Sequence, residues 1–291
     1  MSFILGAACV ILVYGVYKIW ELFQYPSIQE NQRRCSQPIP PIGDNSQITI
    51  WGFEESGVYP GWKWGISDAS PYVSRVEAYL RLIQKPYIKA ETKGLMENPR
   101  RKVPFANIRG QMIDDSSAIL FTLRHYFDVK IDDHLTEEQL VTGHLIRQML
   151  FGSLYWVELH QNFETEIGRK RFREGMQKKF PHILSSMICA MVFRGIHDEL
   201  FGSGIGRMPH SVIVKKGQDD VKCLSSLLGN KKYFFGEKPT SYDADVYAFL
   251  VLLFHDEAQV ANPWVTDIAK ECANLVEHTN RMRKLLYPEL E

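Results

Sequence analysis

The feature that most constrains this chain is a serine–proline step, Ser70-Pro71-Tyr72, lying between two short strand-like runs. Serine before proline marks a helix start. The serine suits the N-cap, and proline suits the first helical position, where its missing N–H costs nothing. Val73, Val76, Leu80 and Ile83 recur at helical spacing and predict a buried stripe, which Pro86 ends. Upstream, Ile48 to Phe53 reads as a strand, followed by a long loop from Glu54 to Ala69 rich in glycine and aromatics. Downstream, Tyr87 to Ala90 reads as a second strand. Val103-Pro104 enters a hairpin that turns at Arg109-Gly110 and resumes at Met112-Ile113, and Asp114-Asp115-Ser116-Ser117 opens another helix.

Strand, helix, strand, loop, hairpin, helix is the thioredoxin-like order, predicted over residues 47–130. After His125-Tyr126-Phe127 the character changes. Asp132 to Leu135 reads as a linker, and Thr136 with Gln139 forms a capping-box pattern that leads a helical stretch through Leu159. Leu140, Leu145, Met149, Leu154 and Leu159 fall roughly on one face of it. Further amphipathic runs, Ile183 to Leu200 and Val221 to Leu228, with no strand array, predict an all-helical domain over residues 131–291. Thr240-Ser241-Tyr242-Asp243 repeats the capping pattern.

The N-terminus carries a different signal. Phe3 to Tyr17 is uninterrupted apolar sequence, and Lys18 can snorkel while Ile19, Trp20, Leu22 and Phe23 continue the run. From Phe3 to Phe23 a helix reaches about 31 Å, enough to span a hydrocarbon core. A transmembrane anchor is therefore expected over residues 1–24, with Trp20 at the interface. A cleaved signal peptide fits less well, because no basic stretch precedes the run and no small-x-small site follows it. Positive charge follows the run (Lys18, Arg33, Arg34), which places the body on the cytosolic side of a single-pass membrane protein. Residues 25–46, polar with Pro38, Pro40 and Pro41, read as an extended spacer.

Composition closes off other classes. The 291 residues are 45% hydrophobic and 23% charged with zero formal net charge, so nothing global draws the chain to nucleic acid. The five cysteines, Cys9, Cys35, Cys189, Cys223 and Cys272, form neither a CxxC pair nor a zinc-site spacing. No metal site is expected. His255-Asp256-Glu257 reads as a surface cluster, and Arg169-Lys170-Arg171-x-Arg173 as a solvated helix face with interleaved acids. Gly202-x-Gly204-x-Gly206 follows a helix and lacks the strand–turn–helix frame of a dinucleotide loop.

Ser-Pro-Tyr at a helix start, Lys-Val-Pro entering a hairpin and Asp-Ser opening the next helix resemble the N-terminal half of serine-type glutathione transferases. Phe234-Phe235-Gly236-x-x-Pro239-Thr240-Ser241-x-Asp243-Ala244, with Gly204-Ile205-Gly206-Arg207 upstream, narrows the resemblance to the failed-axon-connections and metaxin-like branch, which includes cadmium-responsive members. It covers about residues 46 to 288. The resemblance implies a cis proline at Pro104 and a Val103 backbone that pairs with the glutathione cysteine. It also implies an Asp115–Ser116 pair holding the glutamyl end, a Ser70 hydroxyl facing the thiol and Lys102 flanking the site. The chemistry suits these positions, since a helix N-terminus stabilises a thiolate and lowers a thiol pKa from about 8.5 toward neutrality. Asp115 departs from the glutamate usual in the family. Ser70 and Val73 stand where dithiol members carry cysteine, which excludes dithiol redox chemistry.

Two functions follow as expectations. One is a membrane-anchored, glutathione-dependent transferase acting on small electrophiles in stress or cadmium and xenobiotic detoxification, with glutathione as co-substrate. The other is a non-catalytic, membrane-tethered interaction module. For either, a homodimer or a metaxin-like protein is a possible partner.

Overall fold

The protein is described by a computed structural model over residues 46–54, 65–92, 98, 101–255 and 263–290, with Gln29, Gln32, Arg33 and Ser36 ahead of them. The chain divides into two units, Met1–Pro38 and Ile39–Glu291. In the first, the Ser36 N–H and hydroxyl both donate to the Gln32 carbonyl, at 3.0 and 2.7 Å. The anchor expected over residues 1–24 and most of the spacer lie outside the described residues. Among the described residues no helix is long and apolar enough to cross a membrane.

The second unit begins with β1 (Ile48–Gly52), α1 (Pro71–Leu82), β2 (Ile88–Glu91), β3 (Phe105–Ile108), β4 (Gln111–Asp114) and α2 (Ser116–Tyr126). The strands form one sheet in the order β2-β1-β3-β4. β1 runs parallel to β2 and antiparallel to β3, with Trp51 opposite Phe105, and β3 pairs antiparallel with β4. This is the thioredoxin-like arrangement that the element order implies. The stripe from α1 behaves as its spacing demands: Val73, Val76 and Leu80 are fully buried, and Ile83 packs at the rim of the same core. Ile48, Ile50, Ala106, Ile108, Ile119 and Leu123 complete that core between the sheet, α1 and α2. The other side of α1, through Ala78, packs against Tyr247, Val251 and Met282 of the helical domain.

That domain comprises α3 (Glu137–Met149), a π-helical turn (Leu150–Leu154), α4 (Tyr155–Phe163), α5 (Glu166–Lys179), α6 (His182–Ser203), a 3₁₀ turn (Ile205–Arg207), α7 (His210–Leu228), α8 (Ser241–Phe254), α9 (Pro263–Glu271) and α10 (Ala273–Leu286). The capping box of α3 forms, with Thr136 N–H on Gln139 Oε1 at 2.9 Å and Gln139 N–H on Thr136 Oγ1 at 3.2 Å. The apolar face read along this run does not stay on one side. Leu154 is buried, but Leu140 and Leu145 are exposed, and Gly143, Ile146, Leu150 and Val157 face the core instead. The π turn is the physical reason, because its wider spacing shifts the phase of every residue beyond it. The linker at 132–135 is likewise not a free spacer. Asp132 is buried and accepts from the Ser241 N–H at 2.9 Å and hydroxyl at 2.7 Å, so it caps α8.

The α/β and helical halves meet through a buried charge network. Arg75 of α1, 2% exposed, donates to Asp245 of α8, fully buried, at 2.5 Å, and Arg147 of α3 donates to the other oxygen of the same carboxylate at 2.5 Å. A carboxylate this deep is tolerable only when paired. Two guanidinium groups from different helices satisfy it and fix α1 against α3 and α8.

Candidate functional site

β1 ends at Gly52, and the chain returns to Ser70 at the start of α1. Asp68 closes this corner: its Oδ2 accepts from the N–H groups of Phe53 at 2.9 Å and Glu54 at 3.2 Å, and its Oδ1 accepts from the Ser70 N–H at 2.9 Å. A side chain at Gly52 would collide with this carboxylate, its Cβ falling 2.3 Å from Asp68 Oδ2, so the corner requires glycine. Beneath it, Lys89 of β2 lies 3.1 Å from Asp68 and 3.2 Å from Glu77, all three side chains fully buried, and donates to the Ser67 carbonyl. Burial pushes the Asp68 carboxyl up against the pull of Lys89.

Ser70 occupies the N-cap position with extended backbone, followed by Pro71, as the sequence predicts. Its hydroxyl nevertheless makes no capping hydrogen bond, although the residue is only 8% exposed. The Val73 and Ser74 N–H groups both turn to the Ser70 carbonyl at 3.1 Å. An N-cap hydroxyl normally takes up one of the first-turn donors. Here it is left unclaimed by the helix it starts.

The peptide between Val103 and Pro104 is cis. Pro104 leads directly into β3, whose Phe105 lies opposite Trp51 with the rings stacked at 5.1 Å. The Val103–Pro104 step and the Ser70 corner thus flank the same end of the β1–β3 pair. Lys102 is exposed; its carbonyl accepts from Asn98 Nδ2 at 2.8 Å, and its ammonium pairs with Glu199 of α6 at 2.6 Å.

The Asp115–Ser116 pair is used differently from Ser70. Asp115, with φ of 69°, N-caps α2, and its Oδ1 accepts from the Ser117 and Ala118 N–H groups at 2.9 and 3.1 Å. The buried Ser116 hydroxyl accepts from Arg75 Nη1 at 2.9 Å, and Ser117 does so at 3.0 Å. Both polar groups of this pair already have partners inside the protein.

On the helical side, Tyr72 makes an aromatic wall with Phe151, Tyr155 and Phe249, at ring separations of 5.4, 5.0 and 5.7 Å. Burial holds the Tyr155 phenol up at about 12, aided by Glu199 and Glu158, so it is a neutral donor at physiological pH. One helical turn beyond Tyr155 lies Glu158, 8% exposed, with no hydrogen-bond partner for Oε1. Burial raises its carboxyl well above the ordinary range. Asp68, Arg75, Tyr155 and Glu158 are absent from the sequence-based site. Asp68 had a signal in its place two residues before Ser70, whereas the others reach the site only through tertiary packing.

Among the described residues no group of histidine, cysteine and carboxylate side chains has the arrangement of a metal site. Cys189 and Cys272 are buried free thiols and Cys223 is exposed; Cys9, Cys35, Asp256 and Glu257 lie outside the described residues. Arg169 and Arg173 are less solvated than expected: Arg169 donates to the Phe163 carbonyl at 2.7 Å, and both guanidinium groups sit 5.2 Å from the Phe193 ring.

Comparison with known proteins agrees with this geometry. Models of the glutathione S-transferase N-terminal domain and C-terminal domain match residues 71–167 and 217–282. The chain is 28% identical to Failed axon connections of Drosophila melanogaster over 76% of its length, and spans 55% of that longer protein. It is 27% identical to the isoprene-epoxide–glutathione S-transferase of a Rhodococcus species, covering 81% of this chain and 98% of the relative. It is 23% identical to human Metaxin-2, covering 72% and 79%. A solved glutathione transferase of Burkholderia graminis, with two glutathione molecules bound per subunit, shares the fold at a TM-score of 0.53 and 12% identity, covering 84% of this chain and 87% of that one.

Proposed function

Because the chain belongs to the glutathione-transferase-like family of failed-axon-connections and metaxin type, we propose that it binds glutathione at the start of α1 and transfers it to a small electrophile. The observation that carries this reading is the unclaimed, buried Ser70 hydroxyl at a helix N-terminus, beside the cis Val103–Pro104 step. A thiolate there accepts from Ser70 Oγ and gains from the helix dipole. The Val103 backbone pairs with the peptide of glutathione, Lys102 flanks it, and the first turn of α2 at Asp115 and Ser116 receives the glutamyl carboxylate through backbone N–H groups. The aromatic wall of Tyr72, Phe151 and Tyr155 supplies an apolar surface for the electrophile. The similarity to a glutathione transferase named for an epoxide supports a small, reactive substrate. In this reading residues 1–24 anchor the body to a membrane with its transferase domain in the cytosol. The setting is stress or the detoxification of cadmium and xenobiotics, with glutathione itself handling any metal.

The test is conjugation of glutathione by the purified chain, with Ser70→Ala as comparison. A competent enzyme consumes electrophile and Ser70→Ala is slower; absence of both binding and turnover removes the proposal. For the anchor, a tag at Glu291 reports topology: protease-accessible from the cytosol as proposed, or protected in a lumen.

One observation favours a second reading, a tethered interaction module without catalysis. Asp115 and Ser116 spend their side chains on the cap of α2 and on Arg75. A Ser70→Ala, Ser116→Ala double variant that behaves as wild type in cells supports that alternative.

A further inference from the structure

The aromatic wall contains one group that its packing role leaves unexplained. Tyr155 and Glu158 are three residues apart on α4 and so share a face of that helix. The Tyr155 ring meets Tyr72 edge-on at 5.0 Å, and Tyr72 is two residues from Ser70. Glu158 continues this face, buried, with Oε1 unpartnered. A buried carboxylate without a counter-charge is strongly disfavoured, so the group rests as a neutral acid with an O–H to give. The titratable groups facing it are the Tyr155 phenol on its own helix and the Tyr72 phenol from α1, both held neutral by burial. Glu199 of α6 faces Tyr155 as well, and its charge is taken by Lys102 at 2.6 Å. No basic side chain among the described residues holds Glu158 ionised; burial alone sets its state.

We propose that Glu158 is the proton donor of the reaction and that the electrophile is one whose attack by sulfur leaves an oxyanion, an epoxide being the simplest case. The inference rests on the glutathione reading above. The glutathione thiol loses its proton to solvent as it ionises beside Ser70. The thiolate then attacks a ring carbon, the S–C bond forms, and the C–O bond breaks with its electron pair moving to oxygen. The oxyanion takes the Glu158 proton to become the alcohol, and solvent returns a proton to the carboxylate. Glutathione and epoxide together give the hydroxy-thioether, with no other reactant. Tyr72 and Tyr155 provide the apolar surface that keeps the acid neutral between turnovers.

The test compares styrene oxide with 1-chloro-2,4-dinitrobenzene, whose leaving chloride needs no proton, using the full chain. General acids contribute on the order of 10²–10⁴-fold. For Glu158→Gln the fall in kcat with the epoxide is expected to exceed the fall with the aryl chloride by at least about tenfold, with little change in KM. Equal falls on both substrates, or no fall with the epoxide, overturn the assignment. The wild-type chain gives a second, variant-free readout. Its kcat for the epoxide declines at alkaline pH as the acid ionises, while that for the aryl chloride does not; two parallel profiles overturn the assignment. Turnover of the aryl chloride without any of the epoxide refutes this inference and leaves the glutathione reading standing. Failure with both substrates and no calorimetric binding of glutathione refutes the glutathione reading itself.

Discussion

The first turns of α8 and α1 begin alike and are used differently. At α8, Thr240 donates to Asp243 Oδ2 through its N–H at 2.8 Å and its hydroxyl at 2.7 Å. Asp243 Oδ1 also accepts from the Phe234 N–H and meets His278 Nε2, each at 2.9 Å, with the ion pair fully buried. Every polar group at that start is committed to holding the helical domain together. At α1, the Ser70 hydroxyl is committed to nothing in the protein, and Asp68 fixes the Ser70 backbone instead. A helix start whose side chain closes on itself is a structural device. One whose backbone is held by a neighbour and whose hydroxyl is left over is prepared for a ligand.

The comparison predicts opposite outcomes for the two sites. Asp243→Ala strips partners from His278, Phe234 and Thr240 at once and should cost about 3–5 kcal/mol of stability, read as a fall in the urea midpoint. A loss under about 1 kcal/mol would show that α8 is held by apolar packing alone. Ser70→Ala should change stability by no more than about 0.5 kcal/mol, since no cap is lost, yet slow conjugation about ten- to hundredfold, the worth of a hydrogen bond to a charged thiolate. The reverse result, a destabilised protein with normal turnover, would make Ser70 an ordinary cap.

Ser116→Ala sharpens the contrast from the other side of the site. It removes one acceptor of Arg75 while Ser117 and Asp245 remain, so a loss of about 1 kcal/mol is expected, with a smaller effect on turnover than Ser70→Ala. The smallest effect is the pH dependence introduced by Glu158. Its folded pKa lies above its unfolded value, so the favourable contribution is complete below the unfolded pKa and is lost as pH rises through the folded pKa. Glu158→Gln should match wild type near pH 4 and become relatively more stable at alkaline pH in parallel urea titrations. Curves that stay parallel at every pH would contradict a neutral Glu158.

Much of this was legible in the residues, for identifiable reasons. Ser70-Pro71 and the Thr136–Gln139 and Thr240–Asp243 boxes are local signals whose partners lie within a turn, so spacing alone locates them. The stripe Val73, Val76 and Leu80 is likewise a matter of period. Arg75 and Asp245 are 170 residues apart in the chain, and no spacing announces their meeting. Leu140 and Leu145 look like core residues until the π turn at Leu150–Leu154 is known. Of the candidate site, the residue types at Ser70, Val103 and Pro104 could be read directly. What the sequence could not convey is hydrogen-bond occupancy: that Ser70 Oγ is unclaimed while Asp115 and Ser116 are engaged.

The most direct measurement of the central claim is the pH dependence of the thiolate absorbance of glutathione bound to the full chain, compared between wild type and Ser70→Ala. The account predicts binding to wild type with a thiol pKa clearly below the ordinary value of about 8.5, and a return toward that value in Ser70→Ala. Absence of binding, or a bound thiol that titrates identically in both proteins, would contradict it.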